Sequence, residues 1–75
     1  MMNTEVLDTI GLKCPQPTLR LAVKATHMDH GDTLEVLGDC PTFEQDIRRW
    51  CSRLGKLVLS VKNTKKGEKR IQIQF

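Results

Sequence analysis

The side chains of this chain best suited to covalent chemistry are its three cysteines, Cys14, Cys40 and Cys51. They are 26 and 11 residues apart, with no C-x-x-C pair, so the spacing argues against a zinc site. Cys14 stands in "GLKCPQPTLRL" (11–21), ahead of Pro15 and Pro17. If Cys14 is the cap of a helix, Pro15 takes the first helical position, which proline favours, and Pro17 the third. Neither proline has an N–H, so the amides of Gln16 and Thr18 are left to face the sulfur. The positive end of the helix dipole favours an anion there. A thiolate so placed has a lowered pKa and is the reactive form. Lys13 either lowers that pKa further or is simply solvated. The plainer reading is a loop-to-helix junction with a buried cysteine beside it.

Cys40, in Asp39-Cys40-Pro41, is either a second reacting thiol or a small residue filling a turn. Asp39 either caps the following helix or sits near Cys14. Cys51 falls on an apolar helical stripe and reads as a core residue, as does Trp50. His27 and His30 lie at the far end of the first helix. No His or Asp is spaced to serve as a dedicated base, which argues against a protease-like Cys–His catalyst. The pattern suits a thiolate that accepts a group and hands it on.

The elements that must position these residues follow from periodicity. "EVLDT" (5–9) reads as a short strand and Pro15 to about Met28 as a helix, with Leu19, Ala22 and Val23 in one apolar row and Leu21, Ala25 and Met28 in another. Lys24, on this helix, reads as solvated. "DHGD" (29–32) should end it. "TLEVLG" (33–38) is the next strand. Phe43, Ile47, Trp50, Cys51 and Leu54 then trace the clearest amphipathic helix in the chain. A capping box of Thr42 and Gln45 should open it, and Gly55 should stop it. "KLVLSVK" (56–62) places Leu57, Leu59 and Val61 on one face. "KRIQIQF" (69–75) does so with Ile71, Ile73 and Phe75, and "NTKKGE" is the hairpin turn between them. The expected fold is α+β: a two-layer sandwich of order β-α-β-α-β-β, a four-stranded mixed sheet with both helices on one face. The first two strands should be parallel, which brings Cys14 and Cys40 to one edge of the sheet, where ligand sites of α/β sheets gather.

Residues 1–75 are read as a single domain, too small for a deep active-site cavity. No segment has the ~18 apolar residues of a membrane span. "MMNTEVLDTIG" lacks a basic stretch followed by an apolar one, so no secretory signal is read there and a cytoplasmic location is expected. Thiols are kept reduced in that compartment. The net charge is +3, with basic residues late in the chain, from Arg48, Arg49, Arg53 and Lys56 to Lys62, Lys65, Lys66, Lys69 and Arg70. They form a solvated surface, a docking face for an acidic protein or a nucleic-acid footprint. With one Trp and no Tyr there is little aromatic surface for base stacking, which disfavours direct nucleic-acid binding.

"LDTIGLKCPQPTLRL", continued by "HGDTLEVLGD" and "DIRRWC", resembles the TusA/SirA-like family of small sulfur-carrier proteins. The resemblance implies a two-layer sandwich and a persulfide carried on Cys14; Lys13, Pro15, Gln16, Pro17, Thr18 and Asp39 are the candidate supporting residues from the local reading above. It implies a cysteine desulfurase or rhodanese-like donor and a DsrE-like or other thiol acceptor, as in tRNA thiolation or sulfur oxidation. Asp39-Cys40-Pro41 departs from the Asp-Asp-Pro of many members. In this it is similar to the YeeD-like subgroup, associated with thiosulfate uptake and YeeE-type membrane transporters. Cys40 would then resolve a Cys14 persulfide to a disulfide or accept its sulfur. No cofactor and no metal are expected, and a monomer is. Whether such a relay counts as an enzyme stays open.

Overall fold

The computed structural model describes residues 4–75; the first three residues of the N-terminal stretch read above lie outside them. The elements are β1 (Thr4–Asp8), α1 (Gln16–Ala25), β2 (Thr33–Gly38), α2 (Phe43–Leu54), β3 (Leu57–Lys65) and β4 (Glu68–Gln74), the expected order. The sheet runs β1-β2-β4-β3, with β1 and β2 parallel and the other two pairings antiparallel. Both helices cover one face.

The core lies between the layers. Leu34 and Val36 of β2 and Ile71 and Ile73 of β4 meet Leu21 of α1 and Phe43, Ile47, Trp50 and Cys51 of α2, all buried. Period-2 burial along β2 and β4 and the helical stripe of α2 account for this set. Trp50 leans on Phe75 with ring centroids 6.3 Å apart, closing the end of the core remote from Cys14.

Four expectations are corrected. α1 ends at Ala25, not Met28, and Gly31 is not its terminus. The amides of Thr26, His27 and Met28 instead bond the carbonyls three residues back, so tightened turns carry the apolar period to Met28. Of the two rows on α1, the Leu21 row faces inward and the Leu19–Val23 row faces solvent. Leu54, the last residue of the α2 stripe, is half exposed at the helix end. Leu57 and Leu59 are exposed, while Val58 and Val61 pack on the core. The reason is a register shift between Val58 and Ser60: Val58 pairs with Ile73 and Val61 with Ile71, leaving Leu59 as an extra residue.

The other sheet face is open and polar at its centre. Ser60 donates to Gln72 at 3.1 Å, and Gln72 donates to Glu35 at 2.7 Å. This ladder separates Val6, on one edge strand, from Leu57, on the other, so the exposed apolar side chains of this face do not merge. Among the described residues no helix is long and apolar enough to cross a membrane.

Candidate functional site

Parallel pairing of β1 and β2 sends both chains out of the sheet at the same edge. Thr9 seals the exit: its backbone N–H and its hydroxyl both donate to the Leu37 carbonyl. Each strand then turns into a loop that carries a cysteine. In the first loop Gly11 has φ +86°, a left-handed conformation suited to glycine, and its N–H donates to Asp39 Oδ1 at 3.0 Å. Asp39 therefore latches the Cys14 loop to the Cys40 loop instead of capping α2. At the end of β2, Gly38 lies against the Phe43 ring, and a Cβ there would collide with it. That close approach brings the start of α2, and with it Thr42, down onto the sheet edge.

The two loops bring Cys14 and Cys40 together. Their Cα atoms are 6.1 Å apart and their sulfurs are joined in a disulfide. This separation is within the range a bridge spans. Both residues are partly buried. They line an open groove of about 550 Å³ with residues 11–13, Asp39, Pro41 and Thr42. Cys51 is free and buried in the core, as expected, and burial pushes its thiol up to about 11, against the smaller pull of Arg48 and Lys56.

The helix-cap geometry differs from expectation. Cys14 precedes the cap; Pro15 is the cap residue and Pro17 the second helical residue. The Gln16 amide is spent on the Lys13 carbonyl at 2.8 Å, so it does not face the sulfur. The Cys14–Pro15 peptide bond is cis. Lys13 is exposed at the groove, Pro17 is buried and Thr18 half-buried at the start of α1. Lys24 is not simply solvated: it pairs with Glu5 at 2.6 Å.

The capping box of Thr42 and Gln45 does not form. Thr42 is the cap residue of α2, but its hydroxyl makes no cap bond. It lies instead 3.0 Å from Cys14 Sγ, 3.0 Å from Asp46 Oδ2 and 3.6 Å from Cys40 Sγ. Asp46 is held one turn into the helix, its amide bonded to the Thr42 carbonyl at 2.9 Å. Asp46 thus neighbours the Cys14 sulfur through the Thr42 hydroxyl, with no bond of its own to it. The signal in the sequence was a hydroxyl and a carboxylate four residues apart, one helical turn, directly after Cys40. Cys14 Sγ, Cys40 Sγ and an Asp46 oxygen lie within 4.8 Å of one another.

The basic residues are partly neutralised. Glu44 takes Lys69 at 2.8 Å and Arg48 at 2.9 Å, and these two bonds, Lys69 first, hold its carboxyl below the usual range. Arg70 lies 3.9 Å from Glu35, and Lys56 sits over the Phe75 ring at 5.2 Å. Arg49, Arg53, Lys62, Lys65 and Lys66 remain exposed.

The cysteine pair thus lies in an open groove at the sheet edge. The family model described as "Sulfurtransferase TusA" matches residues 5–75. Two relatives from Neisseria meningitidis, one from serogroup A strain Z2491 and one from serogroup B strain MC58, bear the name "Putative sulfur carrier protein". Each is 40% identical over 58 residues, spanning 77% of this chain and 78% of its own. The chain belongs to the TusA family. A SirA-like protein from Desulfitobacterium hafniense has the same fold, with a TM-score of 0.82, 20% identity and coverage of 93% of this chain and 95% of its own.

Proposed function

We propose that this protein carries sulfane sulfur as a persulfide on Cys14 and passes it to a partner thiol. Family membership supports a sulfur-carrier role. The observation that carries the proposal is the open groove at the sheet edge, which Cys14 and Cys40 line while Cys51 is sealed in the core; Cys14 is preferred to Cys40 because it stands in the Cys-Pro-x-Pro stretch. The donor thiolate leaves as Cys14 attacks the outer sulfur of a donor persulfide. The loaded sulfur departs in the same way when an acceptor thiolate attacks it, so no net oxidation occurs. A cysteine desulfurase or rhodanese-like protein in the cytoplasm would be the donor, and a DsrE-like or other thiol protein the acceptor.

The Cys14–Cys40 bond favours a second reading, thiosulfate handling beside a YeeE-type transporter. There the Cys14 thiolate takes the outer sulfur of thiosulfate and sulfite leaves. Cys40 then attacks Cys14 Sγ, expelling hydrosulfide and closing the disulfide, and an external dithiol reopens it. Intact-mass measurement of the reduced protein separates the readings. One sulfur atom gained only with a desulfurase and cysteine, lost in Cys14→Ser and retained in Cys40→Ser, supports the carrier. Gain from thiosulfate alone, followed by hydrosulfide release that requires Cys40, supports the second reading. No gain under either condition defeats both and returns attention to the exposed basic residues, where steeply salt-dependent RNA or DNA binding would be the signature.

A further inference from the structure

The Thr42 hydroxyl has one proton and two acceptors at 3.0 Å, Cys14 Sγ and Asp46 Oδ2. We propose that Thr42 is the hydrogen-bond donor to the ionised Cys14 sulfur, and that Asp46, acting through Thr42, competes for the same proton and restrains that ionisation. The proposal rests on the reading of Cys14 as the reacting sulfur.

Three observations carry it. Of the two amides expected to face the sulfur, Gln16 and Thr18, that of Gln16 is spent on the Lys13 carbonyl, which leaves room for a side-chain donor. The Thr42 hydroxyl is available because it makes no cap bond to its own helix. Asp46 is fixed relative to Thr42 by the bond from its amide to the Thr42 carbonyl. While the sulfur is neutral, as in the disulfide, a carboxylate is the stronger acceptor and takes the hydroxyl proton. When Cys14 loses its proton to solvent, a thiolate competes for that hydroxyl and faces the Asp46 charge within 4.8 Å. Thr42 thus lowers the Cys14 pKa and Asp46 raises it. The other charged or titratable groups lining the groove are Lys13 on the loop of Cys14 and Asp39 and Cys40 on the opposite loop; α1 contributes none. Asp39 already accepts the Gly11 amide.

The test is the pH dependence of Cys14 alkylation by iodoacetamide in the reduced full chain, read at Cys14 by peptide mass. A hydrogen bond to a charged group is strong enough to move a pKa by about one unit. Thr42→Val should raise the midpoint by about that much and slow alkylation near neutral pH about tenfold, and Thr42→Ser should restore both. Asp46→Asn should lower the midpoint and speed the reaction severalfold. Shifts of opposite sign do not arise from general loosening of the site. An unchanged midpoint in Thr42→Val, or an upward shift in Asp46→Asn, overturns the proposal. If Thr42→Val does not fold, Asp46→Asn decides alone: a lowered midpoint supports the proposal, and an unchanged or raised one overturns it. Alkylation needs no sulfur donor, so failure here and failure of Cys14 to take up sulfur are separate results.

Discussion

Cys14 and Cys40 sit on loops at one edge of the sheet, and Cys51 sits under a helix. The first two are reachable from solvent and bonded to each other; the third has 1% of its surface exposed and a thiol pushed up to about 11. The same side chain lines an open groove in one place and fills the core in the other. What differs is the backbone around it: two turns leaving a parallel strand pair in one case, one turn of an amphipathic helix in the other. Access to a cysteine in this fold is therefore a property of the sheet edge.

The sharpest way to break this comparison is kinetic. Native reduced protein should be alkylated at Cys14 and Cys40 at least about a hundredfold faster than at Cys51, which should react only after denaturation. Comparable rates, read by peptide mapping, would erase the distinction. Next in size is the bond itself. Closing a loop over a sequence separation of 26 stabilises a fold by about 3 kcal/mol in the chain-entropy picture, so reduction should lower Tm by at least about 10 °C. Cys40→Ser should match the reduced protein within a few degrees.

A third prediction joins the two regions. Gly38→Ala places a methyl against the Phe43 ring, which has no flexible end to yield. The expected cost is about 2 kcal/mol, and because α2 starts beside the groove, the Cys14–Cys40 bond should become easier to reduce. An unchanged Tm and an unchanged midpoint of reduction would separate core from edge. The smallest effect belongs to Cys51. Its folded pKa lies above the ordinary 9.0, so the folded state holds a proton that the unfolded state releases first. Its stabilisation is complete below pH 9.0 and is lost as pH rises toward 11, on the order of 2 kcal/mol in all. In Cys51→Ala, denaturant titrations should show this alkaline decline flattened.

Much of the fold was legible because its periods are clean. β2 and β4 alternate strictly, and α2 repeats its apolar residues every three to four positions. β3 was misread because period 2 cannot register an inserted residue: the bulge at Leu59 turned Leu57 outward and Val58 inward. At the site, topology alone placed Cys14 and Cys40 on one edge, but their separation depends on loop conformation, which no periodicity encodes. Thr42 was read as a cap because its position fits one. Cap preference describes what a helix end needs locally, and here the hydroxyl is drawn between Asp46 and a sulfur from another loop.

The contact of Asp39 with the Gly11 amide has a consequence for exchange with outside thiols. It joins the two cysteine-bearing loops independently of the sulfurs, so breaking the disulfide leaves the thiols neighbours. Each then meets the other at an effective concentration set by the latch instead of by the surrounding solution. A small thiol that attacks Cys14 is expelled by Cys40 before it can accumulate, and only a reductant carrying two thiols of its own opens the pair efficiently. Asp39→Ala, with the cysteines untouched, should relax that demand and let single thiols stay attached.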